Sequence, residues 1–270
     1  MKFQTNIDII SPNFSFKPCE RILFVGSCFA DNIGKLFKEE KFRTIVNPFG
    51  VMYNPVSILH TVQKLSNQVF DIAVFTLGTN HVYVEKATEE IVDNCQKRPQ
   101  KLFNEQELTI DESANALREA IHLLRKQNPN VKVIVTVSPI RYAKYGFHGS
   151  QLSKATLLLA ADKLVREEGE AVYYFPAYEI VNDELRDYRF YKADMLHPND
   201  QAVEYIWERL VATCFSSEAK KFLEAWRPIK EALGHRPFNP DSEAYRLFMQ
   251  KTKEKIQWLK QLYPDLELDE

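Results

Sequence analysis

The stretch from residue 21 to residue 30, RILFVGSCFA, constrains the fold more than any other part of the sequence. Its apolar run at 22–25 predicts a strand that is covered on both faces, as in a parallel sheet. Gly26 permits a sharp bend, and a helix is predicted to follow. Ser27 would therefore lie where the carboxyl end of a strand meets the N-terminus of a helix, which is the usual binding edge of an open α/β sheet.

Strands and helices alternate along most of the chain. Buried apolar runs predict the strands, and apolar residues at helical spacing predict the helices between them. The predicted strands are 21–25, 42–46, 71–77, 131–137 and 171–175, and the predicted helices are 31–40, 55–65, 112–127, 153–168, 177–185 and 200–215. This order predicts an α/β fold, a three-layer sandwich in which helices cover both faces of a central parallel sheet.

Two parts of the chain lie outside this alternation. Residues 81–95 include two runs of alternating apolar and polar side chains, which predict a hairpin inserted after the third strand. Residues 218–233 and 241–262 have the spacing of two charged amphipathic helices. We therefore expect a main domain over 1–214 and a helical extension over 215–270, whose apolar faces pack on the domain or on another subunit in an oligomer.

The charge and the cysteine content exclude several classes of function. The chain has 270 residues, with 35 Lys and Arg against 37 Asp and Glu, and this balance gives no general affinity for nucleic acid. The four cysteines form no C-x-x-C pair, so we expect neither a metal site nor another cofactor. Residues 1–16 lack the features of a secretory signal, and no apolar stretch approaches the roughly 20 residues of a membrane helix. We expect a cytoplasmic protein without membrane or nucleic-acid partners.

A second informative stretch is DMLHP at 194–198, which follows the last predicted strand. A carboxylate such as Asp194 can accept a hydrogen bond from Nδ1 of a histidine three residues later and leave Nε2 free to take a proton. This arrangement orients a catalytic base. The same pair is also compatible with a helix cap beside a surface histidine. The loop can return to the sheet edge at which Ser27 is predicted, which gives weight to His197 as a base.

Acyl transfer also needs hydrogen-bond donors for the oxyanion that forms on the substrate. Gly50 could offer a backbone N–H after the second strand, Asn80 its side-chain amide after the third, and Ser27 its own N–H. Asn80 could equally be a turn residue that bonds to its own backbone. Because the carboxyl ends of parallel strands meet at one edge of the sheet, these three positions are compatible with one site.

These motifs together resemble the blocks of the SGNH (GDSL-like) hydrolases. More closely, residues 26–30 spell GSCFA, the motif that names the GSCFA family within that superfamily. The resemblance continues in order through 47–50, 53–55, 76–79, 94–95, 138–141, 153–155, 174–176, 178–179, 185–191 and 194–198. It implies a flavodoxin-like parallel sheet in which Ser27 is the nucleophile, His197 the base and Asp194 its partner.

The resemblance also suggests oxyanion donors and leaves two candidates for the nucleophile. Gly50 and Asn80 match the donor positions of the superfamily, although the GSCFA pattern often lacks asparagine at the second of them. The superfamily's usual Gly-Asp-Ser is Gly-Ser-Cys in this chain. Ser27 matches only with a shift of one residue, whereas an unshifted register places Cys28 at the nucleophile position. A thiolate paired with His197 would also be a competent nucleophile.

The resemblance implies an esterase that removes a small acyl group from a carbohydrate or lipid through an acyl-enzyme. The same residues could pass the acyl group to an alcohol, as in an O-acyltransferase, and a cleft without catalysis would be a glycan-binding module. A binding module has no need of an oriented base, so we expect a hydrolase with a small-molecule or glycan ester as its substrate. Arg141, His81 and His148, in predicted loops at the same edge, are the candidate substrate contacts.

Overall fold

A five-stranded parallel sheet forms the centre of the structure, a computed structural model that describes residues 1, 4–65, 67–93, 95 and 98–267. In spatial order its strands are β2 (Arg43–Val46), β1 (Arg21–Gly26), β3 (Ile72–Leu77), β7 (Lys132–Val137) and β8 (Val172–Tyr174). The chain leaves β1 toward β2 on one side and returns to β3 on the other, so strand order reverses at β1. Ligands of doubly wound sheets bind at this kind of switch point, and Ser27 directly follows β1.

Helices cover both faces of this sheet, which confirms the predicted α/β sandwich. One face carries α1 (Cys28–Glu39) and α6 (Asp200–Cys214), and the other carries α2 (Pro55–Lys64), α3 (Ile110–Gln127) and α4 (Gly146–Glu168). Between β8 and α6, a short α5 (Ala177–Glu179) continues into a wider turn of π-helix at Ile180–Leu185.

The strand residues divide between two cores, as the alternation of side chains in a strand requires. In β1, Ile22 and Phe24 pack with α1 and α6, whereas Leu23 and Val25 pack with α2 and α3. All four are fully buried. Because side chains on both faces of β1 are buried, every residue from 22 to 25 is apolar. This uninterrupted apolar run is the pattern that predicted the strand.

The insertion after β3 forms a small antiparallel sheet of its own. β4 (His81–Glu85) pairs with β5 (Ile91–Val92), so a hairpin lies where the sequence predicted one; residue 94, the end of its predicted second strand, lies outside the described residues. β4 also pairs with β6 (Phe103–Glu107), which the sequence did not predict. Only the first residue of β6 is buried, so no apolar alternation marks this strand.

The C-terminal helices pack on the domain of the same chain. α7 (Ser217–Gly234) contacts α1 through Trp226, whose Nε1 donates to Glu39 O at 3.0 Å. α8 (Glu243–Leu262) contributes Leu259, which is fully buried in the core on this face. Among the described residues, no helix is both long enough and apolar enough to cross a membrane.

Candidate active site

The turn after β1 contains the two candidate nucleophiles in different environments. Ser27 is fully buried, and its Oγ accepts a hydrogen bond from Phe29 N (3.2 Å) and lies 3.1 Å from Thr76 Oγ1. Ser27 is thus the N-cap of α1. Cys28 is the first residue of the helix and is half-buried, with Sγ 3.8 Å from the hydroxyl of Tyr53. The more accessible side chain at this turn is therefore the thiol, and the sequence-based choice of Ser27 as nucleophile is not favoured by its burial.

Contacts with the neighbouring strands β2 and β3 fix the conformation of the turn after β1. Gly26 has φ +147°, and a Cβ at this position would lie 2.2 Å from Thr76 O, so only glycine fits. Asn47, just after β2, accepts from the Gly26 N–H through Oδ1 (2.9 Å) and donates from Nδ2 to Asp31 of α1 (2.7 Å). The ends of β1 and β2 and the start of α1 are thereby tied together.

Asp194 and His197 form the predicted pair. His197 Nδ1 lies 2.7 Å from Asp194 Oδ2, and Oδ1 of the same carboxylate accepts from the N–H groups of Leu196 and His197 at 2.8 and 3.0 Å. Met195 has φ +57°, which curls this histidine loop, defined as residues 194–197. The backbone N–H bonds and then the imidazole lower the pKa of Asp194 to about 2. The carboxylate is therefore ionised at neutral pH and can orient the ring.

Arg141 and Tyr142 connect the histidine loop to the β1 turn. The backbone N–H and the guanidinium of Arg141 each donate, at 3.0 Å, to a carbonyl of the histidine loop, those of Leu196 and Met195. The ring of Tyr142 lies edge-on to that of Tyr53, with centroids 6.1 Å apart. Arg141 thus contacts the loop that contains His197, and the adjacent Tyr142 contacts Tyr53, the neighbour of Cys28. Within the described ranges, no hydrogen bond joins His197 to either candidate nucleophile.

The three predicted oxyanion donors are already engaged. Each donates to a backbone carbonyl of the fold: Ser27 N to Thr76 O (3.0 Å), Gly50 N to Asn47 O (2.9 Å) and Asn80 Nδ2 to Leu108 O (2.8 Å). Asn80 is buried and fastens the start of the insertion to the chain before α3. These hydrogen bonds belong to the fold, and a role of the three groups as oxyanion donors stays a prediction.

The two predicted histidine contacts lie in the insertion and in α4. His81, at the start of β4, is stacked on Tyr145 with ring centroids 3.6 Å apart, and burial lowers its pKa. Glu105 and Glu107 each lie 3.9 Å from one of its ring nitrogens. His148 is exposed in the first turn of α4. That helix begins at Gly146 and not at 153 as predicted, so His148 is helical and not part of a loop.

Lys154 is a buried charged residue that the sequence did not single out for a role. Its Nζ donates to Gly78 O at 2.6 Å and to Ser138 O at 2.8 Å, the first residues after β3 and β7. It also lies 5.2 Å from the ring centroid of Tyr142. Burial lowers the pKa of Lys154 to about 7. Lys154 therefore connects the carboxyl ends of two central strands beside the candidate site.

The part of the chain that the structure describes contains no group of three or more His, Cys, Asp or Glu side chains placed to hold a metal ion. The side chains described at this edge of the sheet supply a thiol, a carboxylate-oriented imidazole, a buried serine hydroxyl, tyrosine hydroxyls, a guanidinium and an amine.

Comparison with known families agrees with the motifs. The model of the GSCFA family matches residues 21–71 and 66–210, which is most of the chain. The chain belongs to the GSCFA family. A second model, described as the C-terminal domain of GSCFA domain proteins, matches residues 226–270 of this GSCFA protein and begins inside α7. No curated protein sequence matches significantly.

Solved structures resemble this GSCFA protein in fold. One, described as a GDSL-like lipase from Parabacteroides merdae, is 16% identical, covers 75% of this chain and 100% of its own, and has a TM-score of 0.50. A carbohydrate esterase of family 3 from Talaromyces cellulolyticus is 12% identical, with coverages of 76% and 98% and a TM-score of 0.47. At these identities the likeness concerns the fold alone.

Proposed function

We propose that this GSCFA protein hydrolyses acyl esters through a thioester intermediate on Cys28, with His197 as the base and Asp194 as its orienting carboxylate. The observation that carries the proposal is the contrast at the β1 turn, where Ser27 is fully buried as a helix cap and Cys28 is only half-buried. The unshifted register of the Gly-Ser-Cys motif also places Cys28 at the nucleophile position.

The reaction would proceed in two acyl transfers. His197 takes the thiol proton at Nε2, and Cys28 Sγ attacks the ester carbonyl carbon to form a tetrahedral oxyanion. Collapse of this intermediate breaks the bond to the alcohol, which leaves with the proton from His197. Water then attacks the thioester while His197 accepts its proton; the acid is released and Sγ recovers a proton. Asp194 holds the imidazole in the required tautomer throughout.

A small cavity beside Arg141 supports a glycan or other hydroxylated alcohol as the leaving group. Its volume is about 260 Å³, and its walls include Tyr188, Tyr191, Gln151 and Asn182. Aromatic rings with a few polar groups are typical of sites that bind small molecules. Arg141 lines this cavity and also donates to the histidine loop, so one residue connects the cavity with the loop that contains the proposed base. An ester with a small acyl group would fit such a site.

Alkylation of the wild-type protein tests the proposal. We expect hydrolysis of p-nitrophenyl acetate, and loss of turnover in step with one carbamidomethyl group on Cys28 after treatment with iodoacetamide. Cys19, Cys95 and Cys214 are the internal controls, because burial raises the pKa of each of these thiols. Peptide mapping by mass spectrometry identifies the modified residue. Turnover that persists after Cys28 is fully alkylated would contradict the thiol mechanism, and a wild type inactive on all short-chain esters would contradict hydrolysis.

Replacing Asp194 by asparagine is expected to lower kcat by about 10²-fold, the lower end of what general acid–base catalysis contributes. An amide can donate to Nδ1 and so stabilise the tautomer that carries its proton on Nε2. Asp200→Asn, in an exposed carboxylate three residues after His197, is the matched control and should leave kcat unchanged. Because the pKa of Asp194 is about 2, its protonation would affect the wild-type profile only near that pH. Equal kcat values in the two variants would argue against Asp194 as the orienting group.

A further inference from the structure

The proposed acyl transfer requires donors for the oxyanion, and the predicted ones are used elsewhere in the fold. Acyl-transfer enzymes place preorganised N–H or O–H groups where this charge develops. A donor for this purpose should face the nucleophile and should lack a strong acceptor in the free protein. The surroundings of Cys28 contain two hydroxyl groups that come close to this description, those of Tyr53 and Tyr142.

The hydroxyl of Tyr142 is buried and, among the described residues, has no hydrogen-bond partner. It lies over Gly78: a Cβ at that position would be 2.5 Å from the Tyr142 oxygen, 2.8 Å from Tyr53 O and 3.4 Å from Ser27 Cβ. The hydroxyl therefore occupies the space between the β1 turn and the end of β3. A buried donor without an acceptor costs free energy in the resting protein, and an acceptor that forms during the reaction would satisfy it.

The hydroxyl of Tyr53 faces the thiol directly, 3.8 Å from Cys28 Sγ. The carbonyl of Tyr53 accepts from the N–H groups of Gly78 and Thr79 at 3.0 and 2.8 Å, which fixes this residue to the end of β3. The rings of Tyr53 and Tyr142 pack edge-on, with centroids 6.1 Å apart. Tyr53 thus contacts both the thiol of Cys28 and the ring of Tyr142.

Both tyrosines stay protonated at neutral pH. Burial, and after it the charge of the neighbouring Cys28, raises the pKa of Tyr53 to about 12. Burial also raises the pKa of Tyr142, with smaller contributions from Tyr53 and Cys28. A phenol that carries its proton is a hydrogen-bond donor. Each hydroxyl can therefore donate to a new anion without first acquiring a proton.

We propose that the hydroxyl of Tyr142 donates a hydrogen bond to the oxyanion of the tetrahedral intermediate formed on Cys28, while Tyr53 holds the thiol toward it. The proton stays on the phenol oxygen, and no covalent bond to tyrosine is made. This inference rests on the proposed function, since it requires acyl transfer to Cys28. It assigns to a side chain of the β7–α4 connection a role that the sequence analysis gave to Ser27, Gly50 and Asn80.

Two reactions of the same thiol separate this role from a structural one. Acylation of Cys28 by p-nitrophenyl acetate passes through an oxyanion, whereas alkylation by iodoacetamide does not. In Tyr142→Phe we expect kcat/KM for the ester to fall by about 10²-fold, as for loss of one oxyanion donor. The second-order rate constant for alkylation of Cys28 should stay within about 2-fold of the wild type, because phenylalanine keeps the ring and its packing.

Tyr145→Phe is the matched control, since its ring centroid lies 6.5 Å from that of Tyr142 and it is stacked on His81. Both rate constants should be unchanged in this variant. An ester rate in Tyr142→Phe equal to that of the wild type would overturn the assignment of the donor alone. Parallel loss of both reactions would also overturn it and indicate a structural role. A wild type that is alkylated at Cys28 but never acylated would overturn the proposed function as well.

Discussion

Replacing Cys28 by alanine is expected to lower kcat/KM for p-nitrophenyl acetate by about 10³-fold or more. The proposed reaction forms a covalent bond to Sγ, and removal of a nucleophile leaves only the contribution of binding and of the oxyanion donors. The free energy of unfolding should change little, because Cys28 is only half-buried and packs at the edge of one core. Steady-state kinetics on the purified variants, with urea denaturation as a check of folding, measures both quantities.

Ser27→Ala is the matched variant, one residue away and opposite in its expected effect. Its kcat/KM should stay within about 3-fold of the wild type, since Ser27 Oγ is buried against Thr76 and Phe29. Its free energy of unfolding should fall by about 1–2 kcal/mol, the usual cost of losing a helix N-cap. Collapse of activity in Ser27→Ala with full activity in Cys28→Ala would reverse the assignment and restore the serine as nucleophile.

The sequence was sufficient for the central sheet because each buried parallel strand is an uninterrupted apolar run, as at 22–25. It was also sufficient for the contact between Asp194 and His197, since three residues of a tight loop determine that geometry locally. The choice between Ser27 and Cys28 is different. It depends on Thr76, a residue of the adjacent strand that accepts the Ser27 N–H and contacts its hydroxyl, and no pattern within GSCFA reveals that contact.

Other features were missed for equally specific reasons. The strand at 103–107 is polar and exposed after its first residue, so it has no alternating signal. The start of α4 contains Gly146 and Gly149, which are weak helix formers and predicted a loop. The burial of Lys154 could have been predicted, because its spacing from Leu157 and Leu164 places it on the buried face of α4. What the sequence could not supply was its partners, two carbonyls at the ends of strands distant in sequence.

The second large expected effect concerns Lys154 and the pH dependence of the free energy of unfolding. The free energy of unfolding of the wild type should rise by about 2 kcal/mol between pH 7 and pH 9 relative to that of Lys154→Met. In its neutral form the amine has two N–H groups, and the structure provides two acceptors, Gly78 O and Ser138 O. The neutral form is therefore fully hydrogen-bonded, whereas the charged form has no carboxylate partner in the contacts that Nζ makes.

The direction of the effect follows from the protons bound in each state. Burial lowers the pKa of Lys154 from its ordinary 10.5 to about 7 in the folded protein. Between these two values the unfolded chain binds a proton that the folded chain does not, so stability increases as the pH rises. Below pH 7 both states carry the charge, and the full penalty of burying it is present. The tyrosines are the same in the wild type and in Lys154→Met, so they do not contribute to the difference in slope between the two proteins from pH 7 to pH 9.

Urea denaturation at constant ionic strength, at pH 7, 8 and 9, measures this slope. Lys154→Met removes the buried charge but also leaves two buried carbonyls without a donor, at a cost of about 1–3 kcal/mol each. These two effects oppose each other, so the slope and not the offset is diagnostic. Lys126→Met, in an exposed residue of α3, is the control and should keep the wild-type slope. Identical slopes in Lys154→Met and the wild type would mean that Lys154 stays charged, with the two carbonyls solvating an ammonium ion beside Tyr142. In that case the positive charge would itself be part of the electrostatics of the proposed oxyanion site, and Lys154→Met should then lower kcat/KM for the ester as well.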